Sequence, residues 1–382
     1  MFKVTATNPG SMARTGVLTT PHGSIQTPVF MPVGTKATVK TLSQEDLTEL
    51  GAEIILANTY HLYLRPGEKL VKEMGKLHNW MKWSGPILTD SGGYQVFSLA
   101  QNKGHNKNTE KNAVGKISVK IDENGVEFQS HLDGSKHYFT PEKVMQIEHD
   151  LGADIIMAFD ECAPAESDTA YFKQAMNRTH NWLTLCKKEH EKLLAENGED
   201  RALFGIVQGG MSPELRAESA KFVNSLDLPG NAIGGLSVGE SKEMMQAMIE
   251  VTVPHLSPEK PRYLMGVGTP EDLLECVDRG IDMFDCVHPT RMARHGAFWT
   301  EDGRFSIKNE KFKTDSSLLY GGYSKSYVRH LLMEEEILGL RLLSMHNLHF
   351  LLDLMQKIRK HIQAGTFAKF KADFLNRFLQ TS

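Results

Sequence analysis

Three short apolar runs in the chain each close on an aspartate: Pro86-Ile87-Leu88-Thr89-Asp90, Ile155-Ile156-Met157-Ala158-Phe159-Asp160 and Ile281-Asp282-Met283-Phe284-Asp285. A carboxylate at the end of a buried strand sits in a low dielectric yet can face a cleft, where its charge is costly to hold unless it is used or paired. Two carboxylates in one pocket can divide the work, one as nucleophile and one as proton carrier. That is the pattern of retaining glycosyl transfer: attack at an anomeric carbon, a covalent ester between sugar and carboxylate, then transfer to a new acceptor. The amide of Gln208, the further carboxylate Asp160 and glycine backbone suit the edge of a planar heterocycle. Tyr94 and Met265 suit its two faces.

Taken singly, each residue has a plainer reading. An Asp after an apolar run caps helices, and Gly92-Gly93, Gly209-Gly210 and Gly234-Gly235 make tight turns. Met265 reads as core, and Cys162 and Cys286 as small buried hydrophobes. His346-Asn347-Leu348-His349 reads as a helix start rather than a metal site. The argument rests on their joint occurrence at successive strand ends.

Those strand ends need a scaffold. Apolar runs at 29–33, 53–57, 87–89, 154–159, 202–207, 231–236, 262–266 and 281–284 alternate with amphipathic stretches. Several of these open with readable caps: Ser43-Gln44-Glu45-Asp46 as a capping box, then Thr140-Pro141, Ser212-Pro213 and Thr269-Pro270 with a hydroxyl at N-cap and Pro at N1. Gly51 and Gly280 read as helix stops. Eight strands separated by helices predict an α/β fold, a (β/α)8 TIM barrel, with a doubly wound open sheet as the alternative. The whole chain, 1–382, reads as one such domain. An N-terminal β cap is expected over 1–26 and an insertion over 98–140. The insertion combines a polar loop with a meander at 117–121, 126–132 and 136–139. An extra subdomain is expected over 287–350 and C-terminal helices from about Asn347, where Leu348, Leu351, Leu352, Met355 and Ile358 share a face.

Composition narrows the chemistry. The strand ends carry no histidine cluster and no lysine, which disfavours metal hydrolysis and Schiff-base chemistry, and there is no Gly-Lys-Ser/Thr phosphate loop. The four cysteines (Cys162, Cys186, Cys276, Cys286) imply no disulfide framework. The start lacks a signal-peptide pattern and no apolar run is long enough to span a membrane, so a reducing cytoplasm is expected. Net charge is −4, but from Pro289 onward fifteen Lys and Arg face nine Asp and Glu. A basic last quarter on an acidic body is a candidate phosphate-binding face.

Longer strings are more specific. Phe30-Met31-Pro32-Val33-Gly34-Thr35, Asn58-Thr59-Tyr60-His61-Leu62-Tyr63-Leu64-Arg65-Pro66-Gly67, Asp90-Ser91-Gly92-Gly93-Tyr94-Gln95-Val96-Phe97-Ser98, Gly234–Glu240, Arg262–Gly268 and Asp282–Cys286 resemble the tRNA-guanine transglycosylase (queuine tRNA-ribosyltransferase) family. The resemblance runs from about Arg14 to about Phe374. It implies a TIM barrel that exchanges guanine at the wobble position of certain tRNAs for a 7-deazaguanine base in queuosine formation. By motif, Asp285 is the expected nucleophile on ribose C1′ and Asp90 the general acid/base. Ser91 lies in the same motif, and Asp160, Gln208 and Gly235 are expected to read the base between Tyr94 and Met265. Leu236 and Glu240 are expected at the side group of the incoming base. Cys162 with Val238 resembles the bacterial form, which prefers the small aminomethyl base preQ1 to queuine. Arg291 and Arg294 are expected to hold tRNA phosphates, with the target base leaving the anticodon stack for the pocket. A catalytically degenerate paralogue, or a relative modifying another nucleic acid, is the alternative.

One departure stands out. The resemblance implies a structural zinc held by three closely spaced cysteines and a later histidine after strand eight, in a segment that helps form a homodimer and the tRNA surface. Here 313–325 contains no cysteine, and only His346 matches the histidine. One histidine cannot hold a tetrahedral zinc. No cofactor or metal is therefore expected, and apolar packing around Leu318, Leu319, Tyr320 and Tyr323 is expected in its place. His288 also stands where the family has an apolar residue, and 101–115 reads as an insertion.

Overall fold

The computed structural model describes residues 1–101 and 119–380. Three antiparallel strands open the chain, β1 (Phe2–Thr7), β2 (Arg14–Thr20) and β3 (Gly23–Thr27), one residue beyond the expected cap. The parallel strands follow as β4 (Val29–Met31), β5 (Val33–Gly34), β6 (Ile55–Asn58) and β7 (Ile87–Asp90). The insertion contributes β8 (Val119–Ile121), β9 (Val126–Gln129) and β10 (Lys136–Phe139), an antiparallel meander as expected. The parallel set resumes with β11 (Ile155–Met157), β12 (Ala202–Val207), β13 (Gly230–Ile233), β14 (Arg262–Leu264) and β15 (Met283–Asp285). A hairpin of β16 (Ala297–Thr300) and β17 (Gly303–Ser306) precedes the last helices.

The parallel sheet runs β4-β15-β14-β13-β12-β11-β7-β6-β5. Its two ends are one stretch of chain interrupted at Pro32. Proline has no N–H to give a ladder, so the stretch pairs with β15 before Pro32 and with β6 after it, while the Pro32 carbonyl accepts from Leu56 N–H at 3.0 Å. Eight strands thus close a ring, and the open-sheet alternative is excluded. The interior is filled by Val29, Met31, Leu56, Leu88, Ile155, Met157, Phe204, Ile206, Ala232, Tyr263 and Met283, with Leu18 and Ile25 of the N-terminal sheet in the same cluster.

Local chemistry set the helices where the caps indicated. Ser43 and Asp46 form a reciprocal capping box, and Thr140, Ser212 and Thr269 each accept from the amide three residues on. The helix expected from about Asn347 instead begins ten residues earlier and runs Ile337–Gln363. Its start follows three acidic residues, its N-cap Glu336 makes no side-chain cap bond, and Gly339 lies in its first turns, so no start signal marked it. Strands β11, β13 and β14 stop two or three residues short of the ends of their apolar runs, which continue into the turns of the barrel mouth, whereas β12 fills its run and β7 passes its run by one residue. The stretch expected as a loop insertion at 101–115 lies, from 102 on, outside the described residues.

The end of the barrel opposite the aspartates is locked by charge. Arg14 on β2 donates to both oxygens of Asp282, at 3.0 and 2.6 Å, and to the carbonyls of Pro258 and Lys260; Asp282 also accepts from Arg262 N–H at 2.8 Å. Removing one partner of a buried pair leaves an uncompensated charge. Arg14→Met is expected to cost about 3–5 kcal/mol in denaturant unfolding, and adding Asp282→Asn should recover part of it. An unchanged midpoint in the single variant would refute this account of the cap.

Candidate active site

Asp285 is the last residue of β15 and Asp90 the last of β7, and both line one cavity of about 350 Å³ at the C-terminal mouth of the barrel. Asp285 Oδ1 accepts from Tyr263 OH at 2.6 Å and from Gly266 N–H at 2.8 Å. No hydrogen bond among the described residues engages its Oδ2. Asp90 Oδ1 accepts from Thr59 N–H at 3.1 Å, and Oδ2 from Gln95 Nε2 at 3.1 Å and from Asn58 Nδ2. Burial, then the charge of Asp285, push Asp90 up to about 7 against those hydrogen bonds. Burial also raises Asp285, opposed by Tyr263 and Gly266. Burial thus raises both carboxyls, and the charge of Asp285 raises Asp90 further.

Asp160 lies three residues past β11, buried in the same cavity wall. Ser91 Oγ donates to its Oδ1 at 3.1 Å and Gln208 Nε2 to its Oδ2 at 2.8 Å. Burial raises its carboxyl to about 6. Gln208 itself is not part of the cavity lining; it stands behind Asp160 and orients it. Only glycine fits beside this carboxylate, since a Cβ at Gly93 would lie 2.7 Å from Asp160 Oδ1. The same holds at Gly235, which has φ +64° and would place a Cβ 2.4 Å from Gln208 Oε1.

Tyr94, Cys162, Gly235, Leu236 and Met265 all line the cavity. Tyr94 is half exposed and available to a planar ligand. Burial pushes the Cys162 and Cys286 thiols up to about 12, so neither is a thiolate nucleophile. Glu240 is placed differently from expectation: it is not in the lining, and its carboxylate accepts from the backbone N–H groups of Ser237 and Val238. It braces the turn that presents Leu236, Ser237 and Val238 to the cavity. Arg291 and Arg294 lie on the helix His288–Arg294 directly after Asp285. Lys36 and Lys40 join them, for burial and then the charges of Arg294, Lys36 and Arg291 hold the Lys40 ammonium below the usual lysine range. None of the four is in an ion pair among the described residues.

Sequence reasoning missed Asn58, Thr59, Gln95 and Tyr263, which hold the two carboxylates, and Arg216. Arg216 is fully buried and donates to four carbonyls: Gly210 at 2.8 Å, Val207 at 3.3 Å, Gly234 at 2.7 Å and Gly235 at 2.9 Å. It ties the Gly234-Gly235 turn to the end of β12. Asn58 and Tyr263 sat within recognisable motifs; an arginine in an amphipathic helix carries no such signal.

A zinc does not fit the segment after β17. No cysteine lies within 313–325, and the chain's four cysteines are free and elsewhere. Both ring nitrogens of His346 are already used, Nδ1 accepting from Tyr320 N–H at 3.2 Å and Nε2 donating to Trp299 O at 2.8 Å. The packing expected there is corrected in part: Leu319 is buried in a satellite core with Phe298, Phe312 and Val328, whereas Leu318 and Tyr323 are exposed. Among the described residues one three-group cluster has metal-ligand geometry, His22, His78 and Asp154, at the opposite end of the barrel. Asp154 there accepts from both imidazoles and from the His22 and Ile87 amides, which uses its lone pairs fully.

The family model for queuine tRNA-ribosyltransferase matches residues 9–380. The chain belongs to the queuine tRNA-ribosyltransferase family. A protein of that name from Symbiobacterium thermophilum is 52% identical over 379 residues, 97% of this chain and 90% of the relative. Those of Desulforamulus reducens and Staphylococcus haemolyticus are 51% and 50% identical, each across 96% of this chain and 95% and 94% of their own length. The enzymes of this family, tRNA-guanine transglycosylases, exchange a guanine of tRNA in queuosine formation, and the present chain carries that activity.

Asp90 has a consequence for stability. Its folded value near 7 lies above the unfolded carboxyl value, so the unfolded chain loses its proton first and the folded state is progressively destabilised as pH rises from about 4 to about 7. Asp90→Asn is therefore expected to raise stability on the order of 2–4 kcal/mol at pH 8 and by less at pH 5. A melting-temperature gain that fails to grow with pH would rule this out.

Proposed function

We propose that Asp285 is the nucleophile and Asp90 the proton carrier of the exchange. The observation that carries this is the asymmetry of Asp285: two donors hold Oδ1, no hydrogen bond among the described residues engages Oδ2, and both Asp285 and Asp90 line the one cavity. Oδ2 bonds to ribose C1′ as the C1′–N9 bond breaks, and the electron pair leaves with the guanine, which takes the Asp90 proton. Guanine then gives way to a 7-deazaguanine. The Asp90 carboxylate takes the N9 proton of the incoming base, N9 attacks C1′, and the ester C–O bond breaks to return Asp285. A group near pH 7 suits both halves, since it must give a proton and then take one. Tyr263 OH and Gly266 N–H hold what becomes the ester carbonyl oxygen.

Asp160, oriented by Ser91 and Gln208, accepts from donors on the base edge, Gly235 backbone adds a second contact, and Tyr94 and Met265 cover the faces. The Cys162 and Val238 wall, with Glu240 turned into its own loop, favours the small aminomethyl base preQ1 over queuine. Lys36, Lys40, Arg291 and Arg294 hold the tRNA backbone. A non-catalytic RNA-binding role would leave two cavity-facing carboxylates without use. The substrate places the reaction in the cytoplasm, and no helix among the described residues is long and apolar enough to cross a membrane.

The test is incorporation of labelled guanine into unmodified tRNA with guanine, preQ1 and queuine as competing bases. Asp285→Ala should lose at least about 1000-fold in kcat while still binding tRNA. Tyr263→Phe should lose about 10–100-fold in kcat with little change in KM for tRNA. Of the three bases, preQ1 should compete best. Undiminished exchange by Asp285→Ala would falsify the mechanism, and stronger competition by queuine would overturn the base preference alone.

The chain is also proposed to work as a homodimer. Tyr323 and Tyr327, exposed with ring centroids 5.9 Å apart, and exposed Ile337 and Leu338 supply apolar surface in one segment. Light scattering should give twice the chain mass at micromolar concentration, and a monomer mass there would exclude it.

A further inference from the structure

Between the single 3-10 turn Glu310–Phe312 and the helix Lys325–Met333, residues 313–324 have no regular element apart from an isolated bridge between Leu318 and Ser324. Such a stretch loses much entropy when held in one shape, so something must repay that cost. Part of the answer is internal. Asp315 Oδ1 accepts from Ser317 N–H at 2.8 Å and Oγ at 2.6 Å, Leu319 N–H donates to Tyr323 O at 2.8 Å, and Ser326 N–H to Asp315 O at 3.0 Å. These bonds shape the segment without attaching its middle to the rest of the protein.

Leu319 anchors it by packing in the satellite core, and the hydrogen-bonded attachment comes from the helix Ile337–Gln363. His346 reaches out from it, accepts Tyr320 N–H at Nδ1 and donates from Nε2 to Trp299 O on β16. That pattern requires the neutral imidazole with its proton on Nε2. Next to it, fully buried Asn347 accepts Trp299 N–H at 3.2 Å and donates to Pro289 O at 3.0 Å and Ala297 O at 3.1 Å. Two consecutive residues therefore pin three chain segments to one helix: 313–325, β16, and the first turn of the helix that carries Arg291 and Arg294.

We propose that His346 is a metal-free latch: hydrogen bonds from its two nitrogens do the tethering in this chain that a zinc does in the family resemblance. A zinc would need one of those nitrogens as a lone-pair donor, together with three further ligands. Nε2 carries the proton given to Trp299, the Nδ1 lone pair is taken by Tyr320, and Asp315 Oδ1 is taken by Ser317. Tyr320 strengthens the attachment, its ring 4.2 Å from that of His349 and its hydroxyl donating to Glu49 at 3.1 Å. The latch is independent of which base the enzyme exchanges.

The full-length purified protein tests this without an activity assay. Elemental analysis should find far less than one zinc per chain, and melting should be the same with EDTA, with 1,10-phenanthroline and with added zinc. His346→Ala should lower the melting temperature by about 3–8 °C and hasten proteolysis within 313–325. His346→Gln, which keeps a donor towards Trp299 O, should recover part of the loss. One equivalent of zinc, a melting temperature lowered by chelator, wild-type melting and protease resistance in His346→Ala, or a His346→Gln no better than His346→Ala would each overturn the latch.

Discussion

Everything at the mouth of this barrel depends on two carboxylates confined to one low-dielectric cavity. Among the described residues neither Asp285 nor Asp90 has a cationic partner there; each is held by neutral donors, Tyr263 and Gly266 for one, Asn58, Gln95 and Thr59 for the other. Neutral donors orient a carboxylate without cancelling its charge. Burial raises both groups and the charge of Asp285 raises Asp90 further, in keeping with the proposed division into nucleophile and proton carrier.

Holding two like charges near each other demands a stiff frame, and the barrel supplies it by closing. Pro32 lets one strand pair on both sides of the ring, and the apolar interior, capped by Leu18 and Ile25, leaves little room for the mouth to relax. The other end is tied by charge in the opposite manner, with Arg14 and Asp282 directly paired. The contrast fits the proposed chemistry: ionic groups are compensated at the closed end of the barrel, and held by neutral partners at the mouth.

Behind the cavity wall, buried polar groups do quieter work. Arg216 spends its guanidinium on four carbonyls and so fixes the glycine turn that approaches Gln208. Asp160 is oriented from behind by Ser91 and Gln208, and Glu240 braces its own loop. Beyond the barrel, His346 and Asn347 use the same device, side chain to backbone, to dock the last subdomain on the basic helix that follows Asp285.

By itself the sequence determined the eight-strand alternation, the capped helix starts, the two aspartates proposed for catalysis and most of the cavity lining, because these depend on local periodicity, on cap chemistry and on contiguous motifs. It also determined that 313–325 has no thiols. It did not mark the start of the helix Ile337–Gln363, which has no side-chain cap, nor show that Asp282, three residues before Asp285, is a buried ion-pair partner of Arg14. Only the tertiary structure decided which carboxylate oxygen is free, that Gln208 stands behind Asp160, that Glu240 turns away, and that Arg216 and His346 serve backbone carbonyls and amides. Each of these is a matter of direction between residues distant in the chain, and a hydrogen bond exists only when distance and angle are met in space.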